Sequence, residues 1–177
     1  DVCSSDLLSG IATLTSLWVK EVAGTHAQVR DTRKTTPGLR DFEKYAVRMG
    51  GGTNHRMTLS HGALIKDNHI AAAGSVTNAI ESVRKEFPGT EIEVEVDTID
   101  QLKEALNTKV DIILLDNMSI EETKAAVELT KGSQTKLESS GGLKLENAKA
   151  YASTGVDYLA VGALTHSAPV QIGRAHV

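Results

Sequence analysis

Two hydrophobic periods alternate along this chain. Apolar residues recur every three or four positions over Leu8–Ala23, which predicts a helix that ends before Gly24. Other apolar stretches are short. The run Asp111–Leu115 is almost continuously apolar, which is typical of a strand buried on both faces of a parallel sheet. The chain is therefore predicted to mix helices with buried strands.

The same patterns predict strands and helices in regular alternation. Ser75 is placed to cap one helix, and Ser119 followed by Glu122 forms a capping box for another. The predicted strands are Ala27–Val29, Ala63–Ile65, Ile92–Val96, Asp111–Leu115, Lys136–Ser139 and Tyr158–Val161. The further predicted helices are Leu39–Met49, Ser75–Phe87, Ile99–Leu106, Ser119–Leu129 and Leu145–Ala152. This order predicts right-handed βαβ units around a parallel sheet.

The number of strands narrows the fold class. A complete eight-stranded barrel typically needs more than about 200 residues, so six strands in 177 residues predict an α/β protein with an incomplete (β/α) TIM-like barrel. An open doubly wound sheet is the alternative. The glycine fingerprint G-x-G-x-x-G of nucleotide-binding sheets follows none of the predicted strands.

Composition excludes several classes of protein. With 40% hydrophobic and 24% charged residues, the chain is predicted to be a soluble globular domain, and it contains no apolar run of 18 residues. Cys3 alone rules out an internal disulfide and fits a reducing, cytoplasmic compartment. No secretory signal is present. The net charge of −4 argues against nucleic acid as the main partner.

Charge is distributed unevenly along the chain. From Gly24 to Ile70 there are eight Lys/Arg, four acidic residues and four of the six histidines. From Ala71 to Lys131 there are 13 acidic and six basic residues. Two solvated surfaces would explain this division. An anion site that faces a metal site would explain it too.

Carboxylates stand near the ends of two predicted strands. Glu91–Asp97 alternates strictly, so Glu93, Glu95 and Asp97 would face the barrel lumen, unless this is a half-exposed strand with a solvated acidic face. Asp116 follows the next strand, where a turn or capping role is the alternative. Two carboxylates at neighbouring strand ends can hold Mg²⁺ together with substrate phosphates and water.

Small residues follow the two last strands. Ser139–Gly142 and Val161–Ala163 each come directly after a strand and before a helix. Glycine lets backbone N–H groups approach an anion, and late loops of barrels commonly hold a phosphate. One Gly-Gly pair alone would indicate only a turn.

The basic residues in the first half lie in loops or at strand ends. They do not form one face of a helix, and they are Arg33, Lys34, His55, Arg56, Lys66 and His69. Converging cations suit a ligand with several negative groups. No tight His/carboxylate spacing supports His55, His61 and His69 as metal ligands. The residues therefore predict a βα enzyme for a small polyanionic substrate, with phosphate and Mg²⁺ involved.

These residues also carry a family resemblance. From Leu8 to Pro169 the chain resembles the quinolinate phosphoribosyltransferases, the carboxylating nicotinate-nucleotide pyrophosphorylases. The matching motifs are Leu8–Thr13, Asp31–Arg40, Gly50–Arg56, Leu64–His69, Glu93–Val96, Leu114–Met118, Ser140–Gly142, Gly155–Tyr158 and Val161–Pro169.

The resemblance implies an activity and an architecture. The family transfers phosphoribose from phosphoribosyl pyrophosphate to quinolinate and releases pyrophosphate and CO₂, with Mg²⁺, in de novo NAD synthesis. The fold implied is an N-terminal α/β sandwich plus an incomplete barrel, in a homodimer or higher oligomer. Residues 8–170 would be the barrel, and the sandwich would be missing. Residues 1–7 would be a non-native leader, and residues 171–177 would be a non-native or frayed tail.

Residue roles follow from the matching motifs. Lys34, Lys66, Glu95 and Asp116 would be catalytic, and Glu95 and Asp116 would face the ribose and the magnesium pyrophosphate. Arg33, His55, Arg56 and Lys66 would bind the quinolinate carboxylates, and Thr32 joins the substrate-binding set. The 5′-phosphate would be held by Ser140, Gly141, Gly142, Val161, Gly162 and Ala163. The alternatives are the related phosphoribosyltransferase associated with molybdenum transport and a truncated, non-catalytic phosphate-binding fragment.

Overall fold

The chain folds as alternating strands and helices. The structure is a computed structural model, and it describes residues 2–170. Its strands are β1 (Gln28–Arg30), β2 (Ala63–Ile65), β3 (Ile92–Val96), β4 (Ile112–Asp116), β5 (Lys136–Ser140) and β6 (Tyr158–Ala160). Its helices are α1 (Val2–Glu21), α2 (Arg40–Met49), α3 (Asp67–Ala73), α4 (Val76–Glu86), α5 (Ile99–Asn107), α6 (Ile120–Thr130), α7 (Leu145–Ala152) and α8 (Ala163–His166).

The six strands form one parallel sheet, as the sequence predicts. Their order is β1-β6-β5-β4-β3-β2, so each strand from β2 to β6 pairs with its neighbour in sequence and β1 pairs with β6. This continuous order lacks the reversal of a doubly wound sheet and is that of a barrel left open between β1 and β2. Beside β1, Thr53 forms one further parallel bridge with Arg30.

Two short helices, α3 and α8, are not predicted by the hydrophobic pattern. Each is seven residues or shorter, too short to show a helical repeat of apolar positions. The long helix α1 begins at Val2, so residues 2–7 continue the helix predicted from Leu8. That residues 1–7 form a non-native leader stays a prediction. The predicted tail, residues 171–177, lies outside the described residues.

Apolar side chains on one face of the sheet form the core. Val94, Ile113 and Leu159 are completely buried, as are Ile80 and Leu102 on the surrounding helices. Trp18 of α1 belongs to this core. None of the helices in residues 2–170 is long and apolar enough to cross a membrane.

The opposite face of the sheet is polar yet buried. Glu93 is only 5% exposed and Glu138 is completely buried, whereas Asp97 is exposed. Burial of Glu93 overturns the alternative of a solvated acidic face on β3 and confirms the lumen assignment for Glu93, whereas that assignment is wrong for Asp97, which follows the end of β3. The sheet therefore encloses charged groups, which need partners inside the fold.

Candidate active site

The predicted site residues gather at the carboxyl ends of the strands. A cavity of about 590 Å³ opens there. It is lined by Thr32, Arg33, Lys34, His55, Arg56, Leu64, Lys66, Glu95, Leu114, Asp116, Asn117, Glu138, Ser140, Gly141 and Ala160. This edge is where enzymes with parallel βα folds bind their substrates.

A smaller adjoining cavity of about 240 Å³ holds the predicted phosphate residues. Its wall includes Ser140, Gly141, Gly142, Val161, Gly162 and Ala163, and it shares Lys34 with the larger cavity. Every residue predicted to bind substrate thus lines one of these two cavities. Their individual roles stay predictions.

A cavity of greater volume lies elsewhere. A volume of about 780 Å³ opens at the opposite edge of the sheet, beside the first residues of β4, β5 and β6. Residues at that edge of a βα barrel serve stability in characterised enzymes, whereas the carboxyl edge carries the chemistry. The two cavities at the carboxyl edge are therefore the better candidate. Of these two, the cavity of about 590 Å³ is the larger cavity and that of about 240 Å³ is the smaller cavity.

Two arginines give the larger cavity its positive charge. Arg33 and Arg56 are both half-buried, and within residues 2–170 the Nε of each is buried without a hydrogen-bond partner. Burial and the nearby Arg33 guanidinium lower the pKa of Arg56. Buried N–H groups that lack partners, on like charges held close together, call for an anionic ligand.

Carboxylates stand on another wall of the same cavity. Glu95 forms an ion pair with Lys66, whose side chain is 47% exposed. Asp116 is the last residue of β4 and accepts a hydrogen bond from the Asn117 side-chain amide at 2.8 Å. The oxygen donors of Glu95 and Asp116 fit Mg²⁺ as a ligand held through pyrophosphate or water.

His55 lies at the floor of the cavity with both ring nitrogens engaged. The backbone N–H of Arg56 donates to Nδ1 at 2.8 Å, so the ring proton is on Nε2, which lies 2.7 Å from Glu93 Oε2. The His55 side chain is 8% exposed. The structure therefore gives His55 a direct role in holding the Arg56 backbone.

A second ion pair completes the floor. Arg30 Nη1 lies 2.7 Å from Glu138 Oε2, and His55 Nε2 lies 3.8 Å from Glu138 Oε1. Burial and the charge of Glu93 raise the pKa of Glu138 to about 7, against the opposite influence of Arg30 and His55. Burial therefore favours the protonated form of Glu138 over the charged form.

The floor residues His55, Glu93 and Glu138 also form a possible metal site. Their ligand atoms lie within 4.8 Å of one another. However, the Nε2 proton of His55 faces Glu93, and Arg30 already neutralises Glu138. His55 therefore pairs with Glu93, and Arg30 pairs with Glu138, while Glu93 Oε1 and Glu138 Oε1 are buried without a hydrogen-bond partner among residues 2–170. The cluster does not include the predicted metal-facing pair Glu95 and Asp116.

The glycine at the end of β5 is required by its surroundings. Gly141 has φ +83°, and a Cβ built there would lie 2.3 Å from Oδ1 of Asn117. Asn117 itself has φ +52° and follows Asp116. The absence of a side chain at Gly141 therefore lets the ends of β4 and β5 approach each other within the site.

Sequence reasoning missed Arg30, Asn117 and Glu138. The alternation that places Glu93 and Glu95 in the lumen also applies to β5, where Leu137 and Ser139 are buried towards the helices and Glu138 faces the lumen. Applied to β1, it would have found Arg30 in the same way. Arg30 also stacks 4.1 Å from the Tyr158 ring centroid, a contact between strands that no local pattern reveals.

Comparison with known proteins identifies the family of this chain. Residues 11–171 match the model of the quinolinate phosphoribosyl transferase C-terminal domain. A nicotinate-nucleotide pyrophosphorylase [carboxylating] of Mycobacterium leprae is 57% identical over 162 residues, which are 90% of this chain and 57% of that protein. A probable nicotinate-nucleotide pyrophosphorylase [carboxylating] of Bacillus subtilis is 47% identical over 161 residues, 90% of this chain and 55% of its own length.

A solved structure agrees with the fold. The nicotinate-nucleotide pyrophosphorylase of Ehrlichia chaffeensis matches with a TM-score of 0.90 and 48% identity, over 94% of this chain and 60% of that one. The chain therefore spans a little over half the length of these relatives. By its sequence and its fold, the chain belongs to the quinolinate phosphoribosyltransferase family and corresponds to its C-terminal domain.

Proposed function

We propose that this chain carries the active site of a carboxylating nicotinate-nucleotide pyrophosphorylase. The reaction would join the ribose of phosphoribosyl pyrophosphate to the ring nitrogen of quinolinate and would then remove one carboxylate as CO₂. The products are nicotinate mononucleotide, pyrophosphate and CO₂. The names of the relatives support this proposal.

One observation about the site carries the proposal. Among the residues that the structure describes, the Nε atoms of Arg33 and Arg56 are buried without hydrogen-bond partners, and both side chains line one cavity with Glu95 and Asp116. A dicarboxylate such as quinolinate supplies two negative groups for the arginines. Carboxylates across the cavity suit the positive charge that develops on a ribose ring when its leaving group departs.

The cations would bind and orient quinolinate. Arg33 and Arg56 can each form charge-assisted hydrogen bonds to a carboxylate, and Lys34 adds a compact positive charge between the two cavities. Fixing both carboxylates orients the ring nitrogen towards the ribose, which lowers the entropic barrier to attack. The same cations would retain the ring while the C2 carboxylate leaves as CO₂ and a proton replaces it.

The carboxylates would act on the sugar. Glu95 and Asp116 lie where their charge can stabilise the cationic ribose as its bond to pyrophosphate breaks. Quinolinate would displace Lys66 from its pair with Glu95 by offering a competing carboxylate. Mg²⁺, when bound with pyrophosphate, supplies charge neutralisation of the leaving group.

The smaller cavity would hold the 5′-phosphate. The glycines on its wall expose backbone N–H groups, and Lys34 lies on its border. Holding the phosphate in this cavity would direct the ribose towards the carboxylates of the larger one. Homodimer formation and a cytoplasmic location, which the resemblance implies, stay predictions.

Binding and turnover test the proposal together. Calorimetry with quinolinate uses the 177-residue chain. The product assay with phosphoribosyl pyrophosphate and Mg²⁺ uses that chain beside a version that carries the N-terminal domain of the Mycobacterium leprae relative. We expect quinolinate binding by the chain and nicotinate mononucleotide formation by the extended version. Arg33→Gln should weaken quinolinate binding by about tenfold or more, because a charged hydrogen bond is lost.

The other outcomes separate the alternatives. Tighter binding of nicotinate than of quinolinate would favour the phosphoribosyltransferase associated with molybdenum transport. Binding of ribose phosphates with no product from either version would favour a non-catalytic fragment. Absence of quinolinate binding and of turnover in both folded proteins would refute the proposal.

A further inference from the structure

Helix α2 buries two charged residues while large apolar residues on it are exposed. Glu43 and Lys44 are completely buried, whereas Phe42 is 59% and Met49 is 60% exposed. Two charges thus lie on the buried face of the helix together with Val47, whereas an amphipathic helix usually turns an apolar stripe to the core. Buried charges cost free energy, so their placement calls for an explanation from their contacts.

Lys44 reaches the loop that carries His55 and Arg56. Its ammonium group forms an ion pair with Asp31 and donates a hydrogen bond to the His55 carbonyl oxygen at 3.0 Å. Asp31, itself completely buried, accepts from the backbone N–H of His55 at 2.9 Å and from the side-chain amide of Asn54. The backbone of His55 is thus held at both its N–H and its carbonyl.

The first turns of α2 also hold the loop that carries Arg33 and Lys34. Glu43 Oε2 accepts from the backbone N–H of Thr36 at 3.0 Å. Arg40 donates to Thr35 Oγ1 at 3.0 Å and to the Arg33 carbonyl oxygen at 3.3 Å. One helix therefore anchors both loops whose basic residues line the larger cavity.

Electrostatics explains why such anchors are needed. Arg33 and Arg56 repel each other, and the pKa of Arg56 is lowered partly for that reason. In the absence of an anion this repulsion favours separation of the two loops, unless other contacts hold them. Loops held in place beforehand spare the ligand the cost of ordering them, which strengthens binding.

We propose that Asp31, Glu43 and Lys44 are positioning residues that hold the two basic loops together before the anionic substrate arrives. They act through the backbone of the loops and touch no substrate. The inference rests on the proposed function, because the ligand that draws on this arrangement is a dicarboxylate. A buried ion pair such as Asp31–Lys44 adds little net stability, so we assign it the role of fixing the geometry of the loops.

Removal of the charge pair tests the proposal in the full chain. Lys44→Met leaves the Asp31 carboxylate buried without its counterion and should lower Tm strongly. Adding Asp31→Asn removes that lone charge, so the double variant should recover most of the lost Tm. The His55 carbonyl still lacks its donor. We expect the quinolinate Kd of the double variant to remain about tenfold or more above that of the unmodified chain.

Two further variants at Glu43 keep the proposal testable if the double variant fails to fold. Glu43→Gln retains an oxygen that can accept from Thr36, whereas Glu43→Ala removes it. Quinolinate affinity should therefore be close to normal in Glu43→Gln and reduced in Glu43→Ala. The matched control is Lys85→Met on the exposed surface of α4, which should change neither Tm nor Kd.

Two results would overturn the inference. A folded double variant that binds quinolinate as tightly as the unmodified chain would show that the pair serves stability alone. If Glu43→Gln and Glu43→Ala both bind quinolinate as tightly as the unmodified chain, Glu43 does not position the loop. If neither the unmodified chain nor the extended version binds quinolinate or forms product, the proposed function itself fails, and the inference fails with it.

Discussion

The two sides of the site are built by different means. The cationic side consists of Arg33, Lys34, His55 and Arg56, and all of them lie in loops. The acidic side consists of Glu95 and Asp116, and both belong to strands. The two sides face one cavity, yet one depends on loop conformation and the other on the sheet.

Backbone pairing places the acidic side. Asp116 lies opposite Ser140 in the register of β4 and β5, and Glu95 lies opposite Leu114 in that of β3 and β4. A parallel ladder has regular spacing, so the positions of these carboxylates follow from the pairing of the strands. The cationic side has no such ladder and depends on buried side chains of α2.

This difference indicates where each side is sensitive to mutation. A change in a carboxylate of the acidic side should alter chemistry and leave the framework in place. A change beneath the cationic side should alter binding through loop geometry. Three predictions test this division, and the first has the largest expected effect.

Asp116→Asn should slow turnover without weakening quinolinate binding. It removes a negative charge that stabilises the cationic ribose, and loss of one such group typically lowers kcat by about 100- to 1,000-fold. The quinolinate Kd should stay the same or fall, because an anion near the substrate is lost. Product assays on the extended version and calorimetry measure the two effects separately.

Asp100→Asn is the matched control for Asp116→Asn. The Asp100 side chain is 93% exposed on α5 and pairs only with Lys103 among the ion pairs of the described residues. Both kcat and the quinolinate Kd should therefore be unchanged. A tenfold or greater rise in the quinolinate Kd of Asp116→Asn would contradict the separation of the two sides.

Gly141→Ala, at the point where the ends of β4 and β5 meet, should lower the stability of the protein more than Gly132→Ala does. Both Gly141 and Gly132 have φ +83°, so Ala at either position costs about 1–2 kcal/mol of backbone strain. Only at Gly141 would the new Cβ meet Asn117, whereas nothing lies within 4 Å at Gly132. We expect Gly141→Ala to lose about 1–3 kcal/mol more stability than Gly132→Ala.

Denaturant unfolding of both glycine variants measures this difference. Calorimetry with ribose 5-phosphate adds a second readout, because Gly141 borders both cavities. Affinity should fall for Gly141→Ala and stay constant for Gly132→Ala. Equal losses of stability in the two variants would show that Asn117 moves aside without cost.

Glu138→Gln should change how the free energy of unfolding depends on pH. Glu138 lies at the floor of the cavity, where the two sides meet. The folded pKa of Glu138 is raised from 4.5 to about 7, so between these values the folded state binds a proton that the unfolded state has released. Its contribution to the free energy of unfolding is therefore highest below pH 4.5 and falls as the pH rises towards 7. Arg30, His55 and Glu93 face this group.

Unfolding of the unmodified chain and of Glu138→Gln between pH 4.5 and 8 checks the sign. The unmodified chain should lose about 1–3 kcal/mol of stability relative to the variant as the pH rises through this window. Parallel curves would show that Arg30 and His55 keep Glu138 ionised throughout.

Residues at strand ends could be located before the structure was known. The period-two pattern of β3 and the buried run of β4 place Glu95 and Asp116 at neighbouring carboxyl ends, and both line the cavity as predicted. The loop residues could be named as candidates from their charge and the family motifs. Their convergence on one cavity could not be derived from spacing, because loop geometry has no period.

The buried charges were the hardest part to foresee. Lys44 and Glu43 are buried on a helix whose large apolar residues Phe42 and Tyr45 are 59% and 49% exposed. Their orientation is set by Asp31 and by the loop around His55, which are distant in sequence. A helical repeat detects apolar stripes and cannot detect a charge that is buried for its partner.

The sequence by itself determined the order of the elements, the parallel pairing of six strands and the strand ends that would carry chemistry. These follow from local periodicity, from turn residues and from the handedness of βαβ units, which operate over short distances. The tertiary structure alone decided how Arg30, Glu138, Asp31 and Lys44 are paired beneath the cavity. Such pairings join residues far apart in the chain, and they form because a buried charge is stable only beside a partner that the fold brings to it.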